Sequence, residues 1–402
     1  MSKQVKLTIE QQKLLLDEAI ENKVPFDQVL EQKGYTYDSL QYLSNRTIGE
    51  ECLQPIQTLD NIERSTEDIP AVSFFSGAGG LDIGFSYAGF ENLISVEFNE
   101  TFCNTLRKNN PNKVVIGPPH YAGDVSKHEE VAAILKKNGV SVPFNGVFHG
   151  GPPCQSFSIA ANQRFNKDGA NFKRTGFDDE EKGTLIFDYI WYIKTFRPLA
   201  FLIENVEGIA DFDTNGRIQA ALNDLSQCGY KINKPQIVNA ANFGVPQNRM
   251  RWIVVGTRGS KPIKLPTPSE RITPCGSVFM RDMDGVPNHI TRKHTAKSVS
   301  RYMILEYGGR DKLGRVDRLD PRLPSKTVIA GGTKGGGRSH LHPFIPRTLS
   351  VRECARLQTF PDSYEFTGAN ARQFTQVGNA VPPLLAYKLA LAIKQAIADD
   401  LK

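Results

Sequence analysis

Three short stretches hold side chains whose types and spacing can do chemistry together. In "GGPPCQSFS", Gly150 to Ser158, one cysteine stands directly behind two glycines and two prolines. Pro152 and Pro153 fix φ and stiffen the approach to Cys154, while the glycines let something bulky come close. A thiol attacks as its thiolate, so Cys154 would need donors or positive charge nearby. Free cysteine is equally at home as a small buried filler, and this stretch alone leaves both readings open. "FLIEN", residues 201–205, ends an apolar run on Glu204. Partial burial there would raise the carboxyl pKa and let it donate a proton near neutral pH, with a structural ion pair as the alternative. "VPQNRMR", residues 245–251, sets Gln247, Arg249 and Arg251 at every second position. An extended segment would show all three on one face, as site cations or as structural ones.

These stretches can meet only if the fold brings them to one edge. "AVSFF" (71–75), "LISVE" (93–97), "GVFHG" (146–150), "LAFLIEN" (199–205) and "RWIVVGT" (251–257) are short, mostly apolar runs. Helix-compatible stretches lie between them at 81–89, 99–109, 128–138, 183–195 and 215–228. The alternation predicts a doubly wound α/β fold on a parallel sheet, with ligands beyond the carboxyl ends of the strands. Gly77, Glu97, Cys154 and Glu204 all fall at such ends. "VSFFSGAGGLDIGF", residues 72–85, reads as strand, glycine turn and helix. A dinucleotide fingerprint would need glycine where Asp82 stands, so the nicotinamide reading fails at one residue. Glu97 can accept from two ribose hydroxyls, and Asp124 in "AGDVS" can recognise an adenine amino group. The ordered set points to an adenosine cofactor such as S-adenosylmethionine.

With 402 residues, 40% of them hydrophobic and 23% charged, the chain suits one large core and a smaller second unit, not a disordered or fibrous protein. No run reads as a membrane span and the start lacks the apolar core of a secretory signal, so no membrane partner is expected. The six cysteines include no CxxC pair. Neither metal nor disulfides are expected, and a reducing cytoplasm fits best. Charge is uneven: residues 1–70 hold 7 basic and 13 acidic side chains, whereas 257–347 hold 18 basic and 7 acidic, with four of the seven histidines. The basic segment suggests phosphate contacts. Residues 1–62 read as short helices, starting from a Thr8/Gln11 capping box, with "FDQVLEQKG" and "TYDSLQYLSNR" following. The last two, around Gly34, suggest either a helix-turn-helix or, given the acidic balance, a packing or partner-binding module. "SVRECARLQTF" (350–360) and the proline-led C-terminal stretch from Pro382 read as helices.

The motifs run in the order of a known family. "FFSGAGGLDIGF", Glu97, "GDV", "GGPPCQSFS", "ENV" (204–206), "VPQNRMR", "RECARLQTFPD" (352–362) and "QVGNAVPP" (376–383) together resemble a cytosine-C5 DNA methyltransferase of the bacterial modification type. The resemblance implies a doubly wound mixed α/β sheet of the S-adenosylmethionine-dependent methyltransferase type, Rossmann-like, with a small irregular target-recognition domain and a helical N-terminal extension. Its divisions would be an extension at 1–62, a linker at 63–70, a catalytic and cofactor-binding domain at 71–256, target recognition at 257–347, and a C-terminal segment at 348–402 returning to the catalytic domain.

By the same resemblance Cys154 attacks C6 of a flipped-out cytosine, Glu204 contacts N3 and the exocyclic amine, Arg251 contacts the carbonyl oxygen and Arg249 supports the site. The cofactor pocket would comprise Phe75, Gly77, Gly79, Gly80, Glu97, Phe98, Asp124, Val125, Pro153, Leu185 and Asn379. Arg338, Ser339 and His340 would contact DNA. The implied partner is double-stranded DNA, the implied form a monomer, and a restriction endonuclease acting on the same site is the implied companion. One departure stands out, because Ser73 occupies a position where the family often has an acid; a weakened cofactor contact is expected there. The rival readings are an RNA-directed cytosine methyltransferase, whose Cys-Phe-Thr signature is absent, and a non-catalytic DNA-binding relative.

Overall fold

The computed structural model describes residues 5–44, 47–66, 68–153, 184–213, 215–329 and 340–402. Cys154, Arg338 and Ser339 lie outside the described residues. Ten strands occur among the described residues, eight of them in one sheet. These eight are β1 (Ile69–Phe74), β2 (Phe90–Val96), β3 (Val114–Ile116), β4 (Val147–Gly150), β5 (Ala200–Val206), β6 (Lys231–Ile232), β7 (Gln236–Asn239) and β8 (Met250–Thr257). The helices are α1 (Ile9–Glu21), α2 (Phe26–Gln32), α3 (Gly80–Tyr87), α4 (Glu100–Asn109), α5 (His128–Lys137), α6 (Leu185–Phe196), α7 (Ile209–Phe212), α8 (Arg217–Gln227), α9 (Ala296–Met303), α10 (Val351–Leu357), α11 (Asn370–Asn379) and α12 (Pro383–Ile397). The remaining hairpin pairs β9 (Arg310–Asp311) with β10 (Val316–Asp317).

The strand order is β3-β2-β1-β4-β5-β8-β6, with β7 on the same edge of β8 as β6. The first five strands run parallel, each reached through a helix. β8 runs antiparallel to β5, because it follows β6 and β7 through a short connection, with no crossover helix. The sheet is therefore mixed, and the amino end of β8 sits beside the carboxyl end of β5. The short β3, β6 and β7 carry too little pattern to stand out from the sequence.

Apolar side chains fill both faces. Ile69 and Ala71 of β1 face a core built on α3, α10, α11 and α12, whereas Val72 and Phe74 face one built on α5, α6 and α8. The C-terminal helix α12 returns to α3 so closely that a Cβ on Gly84 would lie 2.4 Å from the Cβ of Ala386. The stretch Asn370–Ile397 is long and apolar enough to cross a membrane by composition, yet 67% of its apolar 18-residue window is buried here.

The N-terminal region departs from expectation. The Thr8/Gln11 capping box forms, and α1 and α2 follow. "TYDSLQYLSNR" makes only a single 3₁₀ turn at Tyr37–Ser39, and Leu40 already has extended backbone. The reason is tertiary: Tyr37, Leu40 and Tyr42 are all buried, and a helix, which keeps 37 and 40 on one face, would have turned Tyr42 away from them. Among the described residues only 3₁₀ turns lie between Gly34 and β1, so the helix-turn-helix reading falls. The region packs instead on the basic segment. Leu16, Ala19, Phe26 and Leu30 share a core with Ala296, Val299 and Met303. Tyr37 donates to the His294 carbonyl and Tyr42 to that of His342, both at 2.8 Å. The Arg318 guanidinium lies between the Tyr42 and Tyr307 rings, 3.5 and 4.1 Å from their centroids. Asp27 pairs with Lys293 and Asp38 with Arg347, so the acidic region meets its charge complement inside the same chain.

Candidate active site

Glu204 ends β5 and Arg251 begins β8. Val206 stands opposite Arg251 in the register, which makes Glu204 the diagonal neighbour on the same face. Both side chains are nearly buried, and Arg251 Nε lies 2.6 Å from Glu204 Oε1. Burial pushes the Glu204 carboxyl above its ordinary range, with Arg251 and Arg249 pulling the other way. The alternation foreseen for "VPQNRMR" holds: Gln247, Arg249 and Arg251 are buried while Asn248 and Met250 are exposed.

The stem of the cysteine loop runs directly past this pair. A Cβ on Gly151 would lie 2.6 Å from Glu204 Oε2, so only glycine admits the carboxylate at this point. Asn205 Nδ2 donates to the Pro152 carbonyl at 3.4 Å, tying the stem to β5. Pro153, half-buried, is the last described residue before Cys154.

Arg249 and Gln247 do something different from Arg251. Arg249 Nη2 donates to the carbonyls of Gly378 and Ala380, both at 2.8 Å, and Nη1 to Val328 at 3.3 Å. Gln247 Nε2 donates to Gln358 Oε1 at 3.0 Å, and its Oε1 accepts from the Val328 amide at 2.9 Å. Gln358 in turn donates to the Val377 carbonyl at 2.8 Å. This buried set stitches the loop around Asn379 to β8. Arg249 braces backbone here, and Asn379 itself is exposed at the end of α11.

At the other end of the edge, Phe75 holds a left-handed φ of +52°, as do Gly77 (+57°) and Gly79 (+77°). For a phenylalanine this is strained backbone, of the sort held at binding sites. The turn is fixed from three sides. Glu97 Oε2 accepts from the Gly77 amide at 2.8 Å, Tyr364 donates to the Ala78 carbonyl at 2.8 Å, and a Cβ on Gly80 would lie 2.2 Å from the Val381 carbonyl. Burial raises the Glu97 carboxyl, against the lowering by the amides of Asn99, Gly77 and Phe98. Phe98 beside it is 68% exposed, an uncovered ring at a strand end. Gly117 and Gly123 both approach the Glu97 carbonyl so closely that a Cβ would sit 2.1 or 2.2 Å from it, which brings Asp124 alongside. Tyr192 donates to the Val125 carbonyl at 2.8 Å, and Leu185 starts α6 against the same core.

Ser73 resolves differently from the expected loss. Its hydroxyl donates to Asp82 Oδ2 at 2.9 Å, Ser95 donates to Oδ1 at 2.7 Å, and Ser76 in the turn donates to Ser73 at 2.8 Å. A buried carboxylate therefore stands under the turn after all, supplied from α3 nine residues later. The Asp82 that breaks the dinucleotide fingerprint is what anchors this one. Asp82→Ala strands two buried hydroxyls, a cost of about 1–3 kcal/mol. It should weaken S-adenosylmethionine binding by about tenfold or more while leaving DNA binding intact, as titration calorimetry and a gel-shift assay would read.

His340 is corrected. It is buried, and its Nε2 faces the carbonyls of Lys326 and Thr327 at 3.1 and 3.3 Å, so it anchors the start of the segment after residue 339 and does not reach a groove. Burial holds its pKa below the ordinary histidine value. Tyr364, Gln358 and Asp82 were not singled out from sequence as site residues. Tyr364 acts through one hydrogen bond to the Ala78 carbonyl and Gln358 through bonds to Gln247 and to the Val377 carbonyl, contacts that no local pattern announces.

The model of C-5 cytosine-specific DNA methylases matches residues 69–395. The chain is 30% identical over 367 residues to the type II methyltransferase M.NgoFVII of Neisseria gonorrhoeae, covering 85% of this chain and 91% of that protein. It is 33% identical over 363 residues to M.MthTI of Methanothermobacter thermautotrophicus, covering 80% and 96%. Among solved structures, the Entamoeba histolytica methyltransferase EhMeth superposes with a TM-score of 0.57 at 17% identity, covering 84% of this chain and all of that one. The Schizosaccharomyces pombe Dnmt2 methyltransferase gives 0.54 at 15%, covering 82% and 98%. These likenesses establish the fold.

Proposed function

Because the chain belongs to the C-5 cytosine-specific DNA methylase family, it is a DNA methyltransferase that uses S-adenosylmethionine on C5 of cytosine, and we propose how its residues divide the work. The Glu204–Arg251 pair beside the Gly151 stem carries the reading. Cys154 adds its thiolate to C6 of a cytosine swung out of the duplex, forming the S–C6 bond. Glu204, whose carboxyl is raised by burial, donates to N3 and accepts from the exocyclic amine, so the electron pair released by addition collects at C5. Arg251 holds the cytosine carbonyl oxygen and also orients Glu204. Arg249 is a positioning residue, acting through the backbone on either side of Asn379. The C5 electron pair would take the methyl group as the sulfonium S–CH3 bond breaks and S-adenosylhomocysteine leaves; the C5 proton then passes to water, the N3 proton returns to Glu204, and elimination of the thiolate restores the ring and frees Cys154.

The residues present fit the cofactor. Glu97 offers carboxylate oxygens at ribose height, the exposed Phe98 ring offers a face for adenine, Asp124 an acceptor for its amine, and Gly77, Gly79 and Gly80 a turn without Cβ atoms. Phe75, Val125, Pro153, Leu185 and Asn379 complete the proposed wall. Bound there, S-adenosylmethionine supplies an electrophilic methyl group.

Within this reading residues 71–256 and 348–402 form the catalytic part, and 257–347 recognise the target, buttressed by 1–62. Arg338 and Ser339 contact DNA. The enzyme acts as a monomer in the bacterial cytoplasm, and a restriction endonuclease shares its site. The test is methyl transfer from labelled S-adenosylmethionine to duplex DNA and, in parallel, to tRNA, with nucleosides separated after digestion. Label in deoxy-5-methylcytidine alone is expected; label in tRNA alone would overturn the DNA assignment. Bisulfite sequencing of DNA from expressing cells names the target site.

A further inference from the structure

The strand that leads into the cysteine loop carries a buried histidine. His149 of β4 stands opposite Ser73 of β1, and Ser73 stands opposite Ser95 of β2, so three polar side chains form one row across the sheet. All three are buried, on the face covered by α3. Ser73 and Ser95 donate to the Asp82 carboxylate, and His149 reaches the same residue by another route. Its Nε2 lies 2.7 Å from Asn92 Oδ1, and Asn92 Nδ2 donates to the Asp82 carbonyl at 2.8 Å. That route runs in one direction. A carbonyl only accepts, so Asn92 turns its NH2 toward Asp82 and its oxygen toward the ring, and Nε2 carries the hydrogen.

The ring itself is held in place. It stacks on Phe85 of α3, with 4.1 Å between centroids and 27° between planes. Burial pulls its pKa down to about 4, so near neutral pH the imidazole is uncharged and serves as a fixed N–H donor. Asp82 therefore receives donors on its carboxylate from β1 and β2 and on its carbonyl from Asn92, with β4 behind Asn92. It lies in the first turn of α3, directly after the glycine turn, and Ser76 of that turn donates to Ser73. A phenylalanine at 149 would fill the same space beside Phe85. What histidine adds is the donor that locks the Asn92 amide, and a buried acceptor left without its donor is costly.

We propose that His149 is a positioning residue for the cofactor: through Asn92 it fixes Asp82, and with it the Gly77–Gly80 turn on which S-adenosylmethionine is bound. This deepens the reading of that turn as the cofactor site and rests on it. His149 touches neither the methyl donor nor the cytosine, so its loss must be felt in cofactor affinity and not in the chemical step. Because it acts through Asp82, its effect must also vanish once the Asp82 carboxylate is gone.

The experiment compares wild type, His149→Phe, His149→Gln, Asp82→Ala and the double variant His149→Phe with Asp82→Ala. Binding of S-adenosylhomocysteine is measured by titration calorimetry, and KM for S-adenosylmethionine is measured against kcat at saturating duplex DNA. For His149→Phe, Kd and KM are expected to rise by about tenfold while kcat stays within about threefold of wild type. His149→Gln, whose amide can donate where Nε2 does, should recover to within about threefold of wild type in both. The double variant should bind within about twofold of Asp82→Ala alone. Where His149→Phe does not fold, Asn92→Ser breaks the same bond from β2 and carries the same readings. A lowered Tm with unchanged Kd, equal losses in the phenylalanine and glutamine variants, or losses that multiply in the double variant overturn the proposal. Wild type that binds no S-adenosylhomocysteine would instead overturn the reading of the turn as the cofactor site.

Discussion

Cys154→Ala should leave a protein that binds S-adenosylmethionine and DNA normally but transfers methyl groups at least about 10⁴-fold more slowly. Removing the sulfur removes the only step that gives C5 its electron pair, and neither Glu204 nor Arg251 can replace a covalent bond to C6. The structure also narrows the rivals. Burial raises the thiols of Cys52, Cys103, Cys275 and Cys354, that of Cys103 to about 12, so these remain protonated at neutral pH. Cys154 instead follows in sequence the stem whose Gly151 passes the Glu204 carboxylate. A duplex carrying 5-fluorocytosine at the target should trap a covalent adduct, since fluorine at C5 cannot leave as a proton. Peptide mapping should find it on Cys154 and nowhere else. An adduct surviving in Cys154→Ala would assign the nucleophile to another residue.

Much of this site could be read before any coordinate, for a physical reason. Its parts sit at strand ends, and strand ends are marked locally: a glycine turn at 77–80, an acid closing "LISVE", another next to last in "LAFLIEN". Alternation in "VPQNRMR" likewise needs only extended backbone. What stayed hidden depends on residues far apart in sequence. The direction of β8 is set by the connection from β7, residues 240–249, too short and irregular to show a period. Ser73 looked like a missing acid because its partner Asp82 lies on the next helix and meets it only once α3 packs on β1. "TYDSLQYLSNR" has helical composition, yet Tyr37 and Tyr42 are claimed by carbonyls at 294 and 342, more than two hundred residues away. His340 stands in a basic loop that promises DNA, but its ring is turned inward to two carbonyls.

Glu204→Gln should lower kcat by about 10²–10⁴-fold with little change in either dissociation constant. Glutamine keeps the shape and still accepts from Arg251, so the pair's geometry survives while the transferable proton does not. The pH profile carries the sharper test. Burial is the main influence on Glu204 and raises its pKa, so the protonated acid persists above the usual carboxylate range and is lost as pH rises through the folded value. Wild type should therefore show a falling alkaline limb beside the rising limb of the Cys154 thiolate, and Glu204→Gln should keep only the rising one. The same shift has a stability consequence of fixed sign. A carboxyl whose folded pKa is raised contributes most below its unfolded pKa and loses that contribution as pH climbs through the folded one. Tm of the glutamine variant should accordingly fall less than that of wild type between mildly acidic and neutral pH. Gly151→Ala separates proton donation from placement. Its methyl would press on Glu204 Oε2 from 2.6 Å, so the carboxylate or the cysteine stem must shift. Its kcat should drop by about 10²-fold, since misplacement of about an ångström costs that much, while both pH limbs remain because the acid is still present. A Gly151→Ala enzyme with unaltered kcat would mean that the stem and the carboxylate need not be so close during turnover.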